Sequence, residues 1–167
     1  MSLSAGPVSV VCPCLNAEAT LGEALESVFA QTVPPLEVLL VPGGFGTRQE
    51  MDNPRMIGFV QKAGGQARWV TSVCTGALIL HRAGFLSGRK ATTYWNALDL
   101  LQSMGEVQIV RERFVHDGNV VTSAGVSAGI DMALYLVSLL RDAQTARNVQ
   151  KMVEYFPKPP EFVEARS

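Results

Sequence analysis

The chain has 167 residues, a formal net charge of −1 and 47% hydrophobic residues. That length is enough for one domain with a sizeable core, and that composition excludes a disordered chain. The near-neutral charge gives no broad basic surface for nucleic acid, and no apolar run reaches membrane-spanning length, so neither is expected as a partner.

The N-terminus, MSLSAGPV, has no charged n-region and no hydrophobic h-region, so export is not expected. Three cysteines, Cys12, Cys14 and Cys74, cannot all pair, and a reduced, cytoplasmic chain is the expectation. Residues 8–12 (VSVVC) read as a short buried strand. After a turn, 18–31 reads as a helix whose apolar face includes Leu21, Leu25, Val28 and Phe29, stopped by Pro34 and Pro35. Residues 36–41 read as a second buried strand, and Pro42-Gly43-Gly44-Phe45-Gly46 as a tight loop at its C-terminal end. Two strands joined by a helix make a right-handed unit with parallel strands. A helix over 49–62, ended by Gly64-Gly65, and a third buried strand over 69–73 follow. The loops after all three strands then share one sheet edge, where ligands bind in open α/β sheets.

Further on, helices are predicted over 75–83, closed by Gly84, and over 96–103, with a strand over 107–110. Residues 114–122 read as a hairpin turning at Asp117-Gly118-Asn119. The stretch 120–123 leads into Gly125, and 130–140 is apolar throughout and reads as a buried helix. A last amphipathic helix is expected over 142–155, stopped by Pro157, with a loosely held tail. No repeat or long linker divides the chain, so 1–167 reads as a single domain.

The stretch WVTSVCTGALIL, 69–80, carries the chemistry. Ser72 and Gly76 flank Cys74 at minus two and plus two, the small-residue pattern of a nucleophile elbow. The N-terminus of the following helix favours a thiolate there. The competing reading is an inert core cysteine. The Gly43 and Gly44 amides can approach a ligand closely and serve as an oxyanion hole, with the Thr75 amide as second donor; the alternative is a plain strand-to-helix turn. Glu18 has two open readings: an acid/base or hydrogen-bond partner of the sulfur, or a residue favouring the N-terminus of its helix with Asn16 as cap. His81 and His116 are not placed beside the cysteine, which weakens a Cys–His hydrolase reading. Cys12 reads as strand-end packing and Cys14 stays open; a C-x-C pair without further clustered ligands is weak evidence for metal, and neither metal nor cofactor is expected.

From Leu36 to about Phe162 the chain resembles the ThiJ/PfpI family, through LLVPGGFGTR (39–48), WVTSVCTGALIL (69–80), GFLSGRKATTYW (84–95) and VVTSAGVSAGIDMALYLV (120–137). Cysteine followed by threonine, with MVEYFPKPP near the end, looks most like the isonitrile hydratase branch. The resemblance implies a three-layer α/β/α fold of flavodoxin-like type with a mostly parallel sheet. It implies a homodimer and a small-molecule substrate, with Cys74 as nucleophile, Gly44 and Thr75 as backbone donors and an acidic residue after the first strand. Tyr94 stands where the family commonly has histidine, so a histidine-requiring triad is in doubt, while the tyrosine can hydrogen-bond a ligand. Residues 7–38 resemble instead the first strand–helix unit of a family 2 glycosyltransferase, whose Asp-Asp-Gly-Ser and D-x-D motifs are missing here. The chain therefore reads as chimera-like, with Glu18 near the position of the family's acid.

The leading expectation is a cysteine-dependent hydratase or hydrolase that adds water to an isonitrile to give an N-substituted formamide. The alternatives are a chimeric or engineered protein that keeps the fold without catalysis, and a small-molecule sensing, amidase-like module.

Overall fold

The structure is a computed structural model that describes residues 10–11 and 37–157. Glu18, Cys12, Cys14, Asn16 and the predicted helix over 18–31 lie outside the described residues. The chain divides into two compact units, residues 1–132 and 133–167.

The first unit is built on a sheet of five strands, β1 (Val10–Val11), β2 (Val38–Val41), β3 (Trp69–Val73), β6 (Phe114–Asp117) and β7 (Val120–Ser123). Their order across the sheet is β1-β2-β3-β7-β6. The pairs β1–β2, β2–β3 and β3–β7 are parallel, as expected for the three N-terminal strands, and only β6 runs antiparallel, against β7. Strands buried on both faces read as continuous apolar runs, which is why VLLV and WVTSV are recognisable in the sequence. The hairpin turns at Gly118, φ +64, and Asn119, with Asp117 opposite Val120, as the Asp-Gly-Asn signal predicts.

A two-stranded parallel sheet is absent from the sequence reading: β4 (Arg89–Ala91) pairs with β5 (Val107–Ile109). Three residues of which only Ala91 is buried carry no alternating pattern. The Asp117 side chain accepts from the Lys90 N–H at 2.8 Å, and the Asp117 carbonyl accepts from the Arg89 guanidinium at 2.8 Å, so the hairpin turn docks on β4.

The predicted helix over 49–62 is corrected to two. A four-residue helix, Thr47–Glu50, is followed by Pro54–Gln66. Pro54 cannot continue a preceding helix but suits a first turn, and the Asn53 side chain accepts from the Arg55 N–H at 3.0 Å as N-cap. Met56, Phe59, Val60, Ala63 and Gly64 are buried at i, i+3, i+4, i+7 and i+8 spacing. Gly64 does not end this helix. A Cβ there would lie 2.3 Å from the Phe85 ring, so the glycine makes room for that ring.

The helix Gly76–Arg82 is buried from Gly76 to Leu80, as fits a central helix that is apolar all round. A turn of 3₁₀ helix, Trp95–Ala97, leads into Leu98–Ser103 where one helix over 96–103 was expected. Val126–Leu140 starts four residues before the predicted 130, and it is not buried throughout. Ala128, Met132 and Leu136 are buried at four-residue spacing, while Val126 is 81% and Ile130 41% exposed. Among the described residues no helix is long and apolar enough to cross a membrane.

In the second unit the last helix among the described residues is Ala143–Met152, shorter than the predicted 142–155, and none of its residues is buried. Asp142 is its N-cap, accepting from the Thr145 N–H at 2.7 Å, and this bond holds the Asp142 carboxyl below its ordinary pKa. The end is set by Glu154 at φ +52 and by the Tyr155 N–H, which donates to the Gln150 carbonyl at 3.1 Å.

Candidate functional site

The last residue of β3 is Val73, and the helix begins at Gly76, so Cys74 and Thr75 make the whole turn. Cys74 has φ +56, in the left-handed region. A non-glycine residue there costs on the order of 1–2 kcal/mol and persists where its surroundings over-determine it. Here they do. The Cys74 N–H donates to the Ser123 carbonyl at 3.1 Å, and the Cys74 carbonyl accepts from the Thr93 hydroxyl at 2.8 Å. Both faces of the turn are also closed by glycine. A Cβ on Gly43 would stand 2.7 Å from the Cys74 Cβ and 2.7 Å from the Thr75 nitrogen; one on Gly76 would stand 2.2 Å from the Val41 carbonyl oxygen. The β2 loop and the elbow therefore pack backbone to backbone. Cys74 is half-buried and its thiol is free.

Thr75 is 4% exposed, and its hydroxyl turns back to the β2 loop. The Gly44 N–H donates to Thr75 Oγ1 at 3.0 Å. Thr47, fully buried, donates to the Gly44 carbonyl at 2.7 Å, and its Oγ1 lies 2.8 Å from Thr75 Oγ1. Thr75 Oγ1 also lies 3.2 Å from the Gly44 carbonyl. Gly44, with φ +155, thus has both its amide and its carbonyl engaged by threonine.

Beneath the elbow lies a layer of buried hydroxyl residues. Thr122 Oγ1 accepts from the Thr92 N–H at 2.9 Å, and the Ser123 hydroxyl donates to the Ser72 carbonyl at 3.2 Å. Ser72 Oγ is itself buried without a hydrogen-bond partner among the described residues. Thr47, Thr93 and Ser123 were not singled out from the sequence. For Ser123 the signal is a hydroxyl residue at the C-terminal end of an apolar run, VVTS, where a buried strand is about to turn; Thr47 and Thr93 follow no apolar run and carry no such signal.

Tyr94 follows Thr93 directly and is half-buried, with its ring 5.6 Å from that of Trp95, which is 51% exposed. The histidines are engaged elsewhere: His81 Nε2 lies 2.6 Å from the Gly105 carbonyl, and the His116 ring packs edge-on against Trp69 at 5.2 Å. Among the described residues no group of three or more His, Cys, Asp or Glu could hold a metal ion. An open groove of about 440 Å³ lined by Ser87, Gly88, Glu106, Val107 and Gln108 lies at the N-terminal ends of β4 and β5. The elbow is at the C-terminal end of β3, and the chemistry-bearing residues are there rather than in the groove.

The family model of the DJ-1/PfpI family matches residues 23–139, beginning inside the 7–38 segment. The chain is 46% identical over 127 residues to isonitrile hydratase from Pseudomonas putida, covering 76% of this chain and 55% of that one. It is 32% identical over 116 residues to the HTH-type transcriptional regulator CdhR from Pseudomonas aeruginosa, covering 69% of this chain and 34% of the regulator. A solved ThiJ/PfpI family protein from Pseudomonas syringae superposes with a TM-score of 0.74 at 41% identity, over 80% of this chain and 56% of that one. The chain spans little more than half the length of these relatives, and about a third of the regulator. The fold is the flavodoxin-like α/β fold, with the mostly parallel sheet that the sequence implies.

Proposed function

The chain belongs to the DJ-1/PfpI family, and from that premise we propose that it is a cysteine-dependent hydratase that converts an isonitrile and water to an N-substituted formamide. Support comes first from the 46% identity to isonitrile hydratase. The observation that carries the chemistry is the elbow itself: Cys74 at φ +56, held by Ser123 and Thr93 at the edge where the loops converge.

In this reading the Cys74 thiolate adds to the terminal isonitrile carbon, forming the C–S bond, and that carbon takes a proton to give a thioimidate. Water then adds to the same carbon while the nitrogen takes a proton. The tetrahedral adduct collapses with loss of the thiolate and of its hydroxyl proton, which balances the proton first taken by the carbon, releasing the formamide. Glu18 is the proposed proton carrier. The amides of Gly43, Gly44 and Thr75 are the proposed donors to the developing charge, and Tyr94 a proposed hydrogen-bond partner of the ligand. A homodimer is proposed with it. The segment 7–38 is proposed to be a graft of glycosyltransferase type.

The test is formamide production from a panel of alkyl and aryl isonitriles by the purified chain, with Cys74→Ser and Glu18→Gln beside it. The expected result is turnover in the native chain, none in Cys74→Ser, and a shifted pH profile in Glu18→Gln. Absence of formamide from every isonitrile removes the reading. A second reading, a small-molecule sensing module, draws on the identity to a transcriptional regulator. It predicts saturable ligand binding that survives Cys74→Ser.

A further inference from the structure

The Gly44 amide, a proposed donor to substrate, is taken up by a side chain. Three groups meet there: the Gly44 peptide, the Thr75 hydroxyl and the Thr47 hydroxyl, with contacts of 2.7, 2.8, 3.0 and 3.2 Å. Each hydroxyl has one proton and each can accept. Three protons serve the four contacts. With Gly44 N–H donating to Thr75, Thr75 to Thr47, and Thr47 to the Gly44 carbonyl, the donors and acceptors form a closed ring that joins three elements: the β2 loop, the first turn of Thr47–Glu50 and the elbow.

The ring sits where loop position matters. Gly43, one residue before the ring, has no room for a Cβ against Cys74. A shift of the loop by a fraction of an ångström is therefore a shift of the wall beside the sulfur. Thr47 is fully buried, and its hydroxyl meets the Gly44 carbonyl and the Thr75 hydroxyl, the other members of the ring.

We propose that Thr47 is a positioning residue for Cys74: through the hydroxyl ring it holds the Gly44 loop down on the elbow and keeps the Gly44 amide in reserve until charge develops on a bound substrate. An anion is a stronger acceptor than a neutral hydroxyl, so the amide exchanges Thr75 for substrate as the sulfur adds. The last clause rests on the nucleophilic reading of Cys74; the ring and its hold on the loop do not.

The experiment compares Thr47→Val, which keeps the shape and removes the hydroxyl, with Thr47→Ser, which keeps the hydroxyl. Amide hydrogen exchange at Gly44 and the rate of Cys74 alkylation by iodoacetamide are measured on the full chain, with thermal melting as a check that both variants fold. In Thr47→Val the Gly44 amide is expected to exchange about tenfold faster, the equivalent of one lost hydrogen bond. Alkylation is expected to rise about threefold as the loop opens, while isonitrile turnover falls. Unfolding also exposes the thiol and stops turnover, so all three readouts are taken well below the melting temperature of both variants. Thr47→Ser is expected to restore all three. Unchanged alkylation in Thr47→Val, or a Thr47→Ser chain that behaves like Thr47→Val, overturns the proposal. If the native chain hydrates no isonitrile, exchange and alkylation still decide the ring, and only the substrate reading falls.

Discussion

Cys74 and Glu154 have nearly the same φ, +56 and +52, and opposite surroundings. Cys74 stands between a buried strand and a buried helix, with hydrogen bonds to both sides of its peptide and glycine packed against it. Glu154 stands two residues past the end of a helix that buries nothing, in the left-handed position that commonly closes a helix. The same strain is thus an ordinary stop in one place and an imposed geometry in the other. The difference lies in what would have to move to relieve it. At Glu154 only a few exposed residues would move, whereas at Cys74 the ends of β2, β3 and β7 would move together.

The comparison breaks most severely at Gly76. An added Cβ would meet the carbonyl of Val41 at 2.2 Å, and neither backbone can yield without opening the β2–β3 edge. Gly76→Ala is expected to destabilise the first unit by about 3 kcal/mol, at the upper end of overpacking costs, read by denaturant unfolding. Next is Thr93→Val, which is close in shape and leaves the Cys74 carbonyl without its 2.8 Å donor. A buried acceptor left unpaired costs about 1–3 kcal/mol. The sharper readout is Cys74 alkylation, which is expected to change here and to stay constant for Met152→Ala, a control at a residue that is 82% exposed.

How much of this was visible beforehand depends on sequence distance. The strands, the elbow and the hairpin are short-range patterns: apolar runs, S-x-C-x-G and Asp-Gly-Asn. The break at Asn53-Pro54 was equally local, and the apolar spacing on either side of it hid it. The bonds that fix the site are not local. Thr47 reaches Thr75 across 28 residues, Thr93 reaches Cys74 across 19, and Ser123 reaches Ser72 across 51. A threonine in an apolar run shows that a hydroxyl is buried, but its partner is decided by which strands become neighbours. β7 beside β3 brings Ser123 to the elbow, and that adjacency is a property of the sheet order. Glu18, which decides between the acid/base and helix-start readings, lies outside the described residues.

A smaller effect sharpens the contrast from the other side. Glu154→Gly removes the left-handed penalty at an exposed helix end and is expected to raise stability by up to about 1 kcal/mol. Cys74→Gly relieves the same penalty but also loses the thiol, and it is expected to leave the elbow in place, because Ser123 and Thr93 hold the peptide and not the side chain. Fast exchange of the amide at position 74 in Cys74→Gly would mean that the side chain, and not Ser123 and Thr93, sets the turn.

The smallest expected effect is at Asp142, at the other end of the same unburied helix. Its carboxyl is held below the ordinary value of 3.8, first by the Thr145 N–H and then by the Thr145 hydroxyl. A carboxylate whose pKa is depressed on folding contributes stability that is fully present above the unfolded value and is lost as pH falls through the folded one. The first turn of Ala143–Met152 is therefore expected to hold at neutral pH and to fray only below about pH 4. The Thr145 amide chemical shift and exchange rate report that change, and in Asp142→Ala they should be pH-independent over the same range. The elbow should not follow this titration, because the bonds that hold it come from threonine and serine hydroxyls and backbone amides, none of which ionises there. Acid that frays the helix start while the Gly44 amide stays protected would separate the two regions by the chemistry of their hydrogen bonds. Loss of both at one pH would show that the helix and the elbow unfold as a single cooperative unit.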